Sequence, residues 1–335
     1  MGSIAEVECG LRWDDGLQAW MVESAGLAET VLAHPGLSAP PYGELYRMLG
    51  EHFGVAFDNL RFAYSHIPLC LHAAEHAKAR RGIAGHLATR RGSIDAAAPA
   101  LVARHFSALK QPGTIDLMQA VVEPFVIDLL SLVTGLDDIG ADQAPTASQI
   151  FGRGVGMARR RRMEAEMGRL RQHIADMLGQ DPGSDDVGRT MALLILGRDA
   201  LTGTLGTSLY ALLKDAGPVP LAAIAFPEMM PDTGVPYTER FVVEPVEIAG
   251  RTFAVGEKFR VFLAPFTQTG EARDRAKIFG VGAHTCLGRP LSLDIWRGIG
   301  RVFAETTTRV EIVDYALRDD EVFAYPNRFL ARIDL

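Results

Sequence analysis

A mainly α-helical protein with a small antiparallel β region is the fold class this sequence predicts, on three observations. Apolar residues recur at helical spacing through most of the first two thirds of the chain. The period then changes between Phe241 and Leu263, where short β-rich runs are punctuated by glycines. Helical spacing returns after Cys286. The 335 residues suffice for one large domain or two smaller ones, and no Pro-, Gly- or Ser-rich linker divides them, so a single domain over 1–335 is expected.

Composition narrows the function classes. With 48% hydrophobic and 22% charged residues the chain has the make-up of a soluble globular protein. A net charge of -7 speaks against a nucleic-acid partner. The most apolar run, Met191–Leu196, is far too short for a membrane span and reads as core, so no membrane partner is expected either. Nothing resembles a secretory leader, and Cys9, Cys70 and Cys286 are too few and too scattered for a disulfide framework. A cytoplasmic location follows as the expectation.

The elements are justified in order. Ala96–Leu109 and Asp116–Leu136 carry apolar residues at helical spacing, with Pro124 expected to kink the second and Gly135 with Asp137-Asp138 to stop it. Met157–Leu178 is a further helix, charged on one side, with four arginines at 159–162 that suit a solvated face or an acidic partner. Asp185-Asp186 offers an N-cap for a long apolar helix over Val187–Leu213. Short strands are expected around 241–243, 246–248, 251–253 and 259–263, with turns at Gly250 and Gly256. A last helix has Pro290 in its first turn and Leu291, Ile295, Ile299, Val302 and Phe303 as its apolar stripe.

The residues that carry chemistry precede that helix, in Phe279-Gly280-Val281-Gly282-Ala283-His284-Thr285-Cys286-Leu287-Gly288. Gly282 and Gly288 permit left-handed or very close-packed backbone. Amides at a helix start favour an anion, and so favour thiolate over thiol at Cys286. Phe279 can pack on the sulfur side and His284 can reach a carboxylate. A buried structural cysteine in a glycine loop is the plainer alternative, and Cys9 and Cys70 are read as structural.

This loop closely resembles the heme-binding signature of the cytochrome P-450 superfamily, Phe-x-x-Gly-x-His/Arg-x-Cys-x-Gly, and all five fixed positions match. The resemblance extends over nearly the whole chain in the family's order. It implies the cytochrome P-450 fold, heme b as cofactor, and Cys286 as the metal ligand, with Phe279, Gly282, His284 and Gly288 shaping the cofactor site. It implies heme-dependent oxidoreductase activity, monooxygenase-like or peroxide-using, on a small-molecule substrate in specialised metabolism. Glu75–Arg81 resembles the family helix whose His-x-x-x-Arg pair holds the heme propionates, and His76 and Arg80, four apart, share a face. Val235–Arg240 resembles the segment whose arginine contacts a propionate, which implies that role for Arg240. Arg273, Arg275, Lys277 and Arg289 suit either an acidic ferredoxin-type redox partner or an ordinary solvated surface.

The departures are equally specific. The long helix resembles the family's oxygen-binding helix, which carries Ala/Gly-Gly-x-Asp/Glu-Thr-Thr; here Leu196-Gly197-Arg198-Asp199-Ala200-Leu201 aligns with it. Gly197 fits the cofactor-facing glycine, and Gly203 and Gly206 continue a small-residue face. Asp199 keeps the acid, but Ala200 stands at the other catalytic position, where a hydroxyl is usual. Thr202 lies about 200° further round the helix and cannot simply substitute. Asp199 can also be read as a solvent-facing acid paired locally with Arg198. No Glu-x-x-Arg stands in register before Val235: Glu228 is followed three residues later by Pro231. The short stretches 136–199 and 263–279 imply trimmed lid helices and a trimmed meander. Atypical oxygen activation, or non-oxidative chemistry, is therefore expected; a non-catalytic heme-binding sensor or partner protein is the alternative.

Overall fold

The computed structural model describes residues 10–137, 139, 147–152, 155–217, 219–319 and 321–335. Among them the helices are α1 (Ala25–Ala33), α2 (Tyr42–Phe53), α3 (Asp58–Tyr64), α4 (Ala73–Phe106), α5 (Glu123–Thr134), α6 (Ala147–Phe151), α7 (Met157–Leu178), α8 (Asp185–Leu213), α9 (Ala264–Thr267), α10 (Ala272–Arg275) and α11 (Arg289–Ala304). The strands are β1 (Leu11–Asp14), β2 (Ala19–Val22), β3 (Leu37–Ser38), β4 (Gly113–Asp116), β5 (Tyr237–Val242), β6 (Val246–Ile248), β7 (Arg251–Phe253), β8 (Lys258–Phe262), β9 (Arg309–Leu317) and β10 (Pro326–Asp334). The chain divides into two compact units: the described residues up to Arg80 with Pro236–Leu287, and Arg81–Val235 with Gly288–Leu335.

The first unit is built on a five-stranded sheet in the order β1-β2-β8-β5-β3, with β6 and β7 forming a separate hairpin. β6, β7 and β8 stand where the sequence pattern predicts them, while β5 starts four residues before the expected 241–243. The N-terminal β1–β2 hairpin has no such signal: β2 is four residues long and buried on both sides, so it lacks alternation. Its pairing with β8 is parallel, Trp20 opposite Phe259, and the remaining pairings in that sheet are antiparallel. Trp20, Phe253 and Phe259 make its aromatic centre, with ring centroids 5.5 and 4.8 Å apart along the series. The Arg251 guanidinium caps Trp20 at 4.0 Å.

In the second unit α8 is the spine. Seventeen of its residues are buried, from Val187 to Leu213. It packs against α5, α7 and β10. The three-stranded sheet runs β4-β10-β9. The helix expectations are refined here. The N-cap of α8 is Ser184, whose Oγ accepts from the Val187 amide, and Asp185 and Asp186 lie in the first turn, where carboxylates suit the dipole. Pro124 lies inside one unbroken helical run, and the irregularity there is a π-helical turn at Met118–Val122 that passes directly into α5 through Val122 and Glu123, both in the αR region. Residues 73–106 form one continuous helix through Pro99, because burial of Ile94, Val102 and Phe106 outweighs the local penalty. The helix expected over Ala96–Leu109 therefore starts 23 residues earlier, at Ala73, and its last residues, Ser107–Lys110, form a 3-10 turn. Gly135 ends α5 as expected, at φ 80° with its amide on Ser131 O. Asp138 and Cys9 lie outside the described residues.

Where a Glu-x-x-Arg helix would precede Val235 there is only the 3-10 turn Leu221–Ala223 and irregular chain. That chain is held by aromatics on α11. Trp296 Nε1 donates to Pro227 O at 2.8 Å, and Phe226 packs on Trp296 and Phe303 at 4.5 and 5.2 Å. Between β8 and Phe279 there are only α9, α10 and a 3-10 turn, in agreement with a trimmed meander.

Candidate cofactor and catalytic sites

The cysteine loop is shaped by backbone. Gly280 and Gly282 take φ of 82° and 68°, which an L side chain disfavours. At Gly282 a Cβ would also come within 3.2 Å of Ala33 Cα on α1. The Cys286 amide donates to Phe279 O at 2.7 Å, closing the loop, and Thr285 donates through N and Oγ1 to Gly282 O at 3.2 and 2.9 Å. The chain then enters α11 with Pro290 in its first turn. The result is a cysteine at the head of a helix with its side chain exposed. Cys70, by contrast, is buried and its thiol is pushed well up by that burial. Only Cys286 has the surroundings of a ligand.

Around the loop the fold collects cationic groups. His76 on α4 and His284 on the loop lie with ring centroids 4.1 Å apart. Arg80, one turn along from His76, donates from Nη1 to Thr285 O at 2.8 Å, tying α4 to the residue before Cys286. Arg240 on β5 is only 2% exposed and donates to Glu239 O at 2.8 Å and Thr238 Oγ1 at 3.3 Å. Among the described residues no carboxylate pairs with it; burial lowers its pKa to about 10. His284 is pushed down to about 3, by burial first and then by Arg240, His76, Arg80 and His72. His76 is lowered for the same reasons, and its buried Nε2 has no hydrogen-bond partner. A group of buried donors this dense, with no carboxylate among its hydrogen-bond partners, suits an anionic ligand. Next to an exposed thiol, the donor set fits a metal-bearing ligand with carboxylate arms. His76, Arg80, Arg240, His284 and Cys286 are thus brought together within the first unit.

Gly197, Asp199 and Ala200 belong to the second unit. Asp199 is 0% exposed, so the solvent-facing alternative beside Arg198 is overturned. Its Oδ2 accepts from Arg318 Nη2 at 3.0 Å. The Arg318 guanidinium lies 4.2 Å from the Tyr325 ring centre, and Tyr325 Oη donates to Glu123 Oε1 at 2.8 Å. Sequence reasoning missed Arg318, Tyr325 and Glu123, because a pairing 119 residues apart leaves no local pattern. The small-residue face of α8 is filled by protein: a Cβ at Gly197 would meet Leu130 Cδ2 at 2.7 Å, at Gly203 Ala324 O at 2.7 Å, and at Gly206 Met118 Sδ at 2.8 Å. Thr202 is buried, and Thr204 Oγ1 accepts from the Gly234 amide at 2.9 Å.

Of the four basic residues near the loop, Lys277 is engaged by Glu29 and Asp274 at 2.6 and 2.7 Å, while Arg273 is exposed. Among the described residues no helix is long and apolar enough to cross a membrane.

No family model matches the chain. The cytochrome P450 monooxygenase PikC of Streptomyces venezuelae is 25% identical to it over 335 aligned residues, which cover 84% of this chain and 76% of PikC. Among solved structures, CalO2 superposes with a TM-score of 0.79 at 15% identity, covering 96% of this chain and 92% of CalO2. P450BioI, solved in complex with hexadec-9Z-enoic acid ligated acyl carrier protein, superposes with a TM-score of 0.77 at 13% identity, covering 98% and 96%. These likenesses show the fold.

Proposed function

We propose that the chain is a heme-dependent oxidoreductase of the cytochrome P-450 superfamily, and that it oxidises or rearranges a small organic molecule in specialised metabolism with heme b ligated by Cys286. One observation carries the reading: an exposed cysteine at the head of α11, in a loop closed by its own amide, beside buried His and Arg donors among whose hydrogen-bond partners there is no carboxylate. The 25% identity to a monooxygenase supports the reaction class.

Each residue has a part in this proposal. Cys286 ligates the iron, and the free amides at the start of α11 favour its thiolate form. Phe279 holds the loop closed through its carbonyl; Gly282 and Gly288 let a flat group lie close to the backbone. Arg240, His76, Arg80 and His284 hold the two propionates, whose charges supply the partners that the buried cluster suits. Bound heme supplies redox chemistry at an iron made electron-rich by thiolate. Asp199 serves as the acid beside Ala200, which offers no hydroxyl, so proton handling falls to Asp199, water or substrate. That arrangement favours peroxide-driven or non-oxidative turnover over ordinary dioxygen chemistry. Gly197 stands two residues before Asp199, about 200° around the helix, in the segment that resembles the family's oxygen-binding stretch. Were dioxygen used instead, a ferredoxin-type redox partner would meet Arg273 and Arg275.

The carbon monoxide difference spectrum of the reduced holoprotein tests the ligation. A thiolate-type Soret band that disappears in Cys286→Ala is expected; no band, or one unchanged in the variant, refutes it. Turnover with hydrogen peroxide but not with dioxygen and a reductant is the expected pattern. A second reading, a heme-binding protein without turnover, is favoured by the lack of a Glu-x-x-Arg helix before Val235. It requires that no small organic molecule displace an iron-bound water in the ferric spectrum.

A further inference from the structure

We propose that Arg318 is a positioning residue that holds the Asp199 carboxylate in one orientation, and that Tyr325 and Glu123 hold Arg318 in turn. This rests on the reading that Asp199 serves the reaction.

The geometry is a relay of fixed contacts within one unit. Arg318 directly follows β9, and its side chain is 27% exposed while that of Asp199 is fully buried. The backbone closes the turn at the same place: Arg318 N donates to Tyr325 O at 2.7 Å. Both side chains therefore leave one clamp, the guanidinium 4.2 Å from the Tyr325 ring centre. Tyr325 is itself pinned by its hydroxyl to Glu123 on α5, at 2.8 Å. The turn is seated on α8 as well. Ala324 N donates to Gly234 O at 2.9 Å, and Ala324 O lies 2.7 Å from where a Cβ on Gly203 would be. Asp199 and Gly203 are four apart and share a face of the helix, so the hairpin turn meets α8 at two neighbouring points of one face.

The chemistry explains why a distant arginine is used. A buried carboxylate needs a paired cation. Arg198, adjacent in sequence, does not face it on a helix. A planar guanidinium stacked on a ring is preorganised and directional, which an ammonium is not. Ala200 offers no side-chain hydroxyl next to Asp199, while Arg318 donates directly to its Oδ2.

The test uses the full chain, with and without heme, as wild type and as Arg318→Ala, Arg318→Gln, Arg318→Lys, Tyr325→Phe and Asp199→Asn. Among the described residues, Arg318 pairs with the acid, and Tyr325 from the hairpin feels Asp199 together with Glu123 from α5 and Arg198 from α8. Infrared difference spectra on pH steps read the Asp199 carboxyl directly, assigned by the band lost in Asp199→Asn. In Arg318→Ala its protonation midpoint should rise by about 1–3 pH units, since an opposite charge at this range is removed. Arg318→Lys should restore most of that, and Tyr325→Phe should give a smaller rise in the same direction. The acid limb of the pH–rate profile for hydrogen peroxide consumption by the holoprotein should move with the midpoint. A merely structural arginine would lower Tm and move neither. An unchanged midpoint in Arg318→Ala and Tyr325→Phe overturns the proposal; if Arg318→Ala does not fold, Arg318→Gln, which also removes the charge, carries the same comparison beside Tyr325→Phe. A wild type lacking the thiolate Soret band refutes the heme reading instead, and the infrared midpoint still judges the clamp.

Discussion

Trp296 is the side chain that holds α11 against the irregular chain at Pro227. Trp296→Phe keeps an aromatic ring in the site but removes the Nε1 donor to Pro227 O, a 2.8 Å bond. Losing a partly buried hydrogen bond costs about 0.5–1.5 kcal/mol. The ring is 0% exposed, so the missing volume becomes cavity. A side chain smaller by roughly 40 Å³, at about 24 cal/mol per Å³, adds ~1 kcal/mol. The expected loss is therefore about 1.5–2.5 kcal/mol, and Trp296→Ala, which also strips the Phe226 stacking partner, should lose about 3–5 kcal/mol. Against a typical stability of about 5–15 kcal/mol these are large fractions. Urea titration followed by far-ultraviolet circular dichroism measures them, with the slope unchanged if the folded and unfolded states are otherwise the same. Two variants within about 0.5 kcal/mol of wild type would refute the view that this indole anchors the irregular chain to α11.

Two further outcomes are expected. In the heme-free chain His284 has a folded pKa near 3, against an ordinary value of 6.5, so the unfolded state takes up a proton that the folded state refuses. Its stabilising contribution is complete above about pH 6.5 and is lost as pH falls toward 3; urea midpoints between those limits should decline more steeply in wild type than in His284→Gln, and equal slopes would contradict the assignment. Gly203→Ala places a methyl group 2.7 Å from Ala324 O and 3.2 Å from Gly234 Cα, both backbone, and should lower Tm despite alanine's advantage of about 1 kcal/mol in a helix; a Tm at or above wild type would show that the hairpin turn gives way.

The positions of chemistry carried in short sequence patterns were legible before any fold was known. Cys286 and its glycines lie in a ten-residue run, and His76 and Arg80 lie one helical turn apart, so local spacing alone places them in one loop and on one face. The strand segments between Tyr237 and Phe262 were legible because side-chain alternation and turn glycines are local too. The β1–β2 hairpin was not, since a four-residue strand buried on both sides has no period to detect.

What the sequence by itself determined, then, is the set of interactions whose partners lie within about a turn or a loop of each other: the spans of α7, α8 and α11, turn glycines, and the thiol presented by its own loop. What only the tertiary structure decided is pairing across the chain. Arg318 reaching Asp199 across 119 residues, Tyr325 reaching Glu123 across 202, and Trp296 taking up Pro227 O across 69 depend on packing that no window of sequence contains. The physical reason is that a buried charge or carbonyl must be satisfied by whichever side chain the fold brings within 3 Å, and burial is a property of the folded chain as a whole.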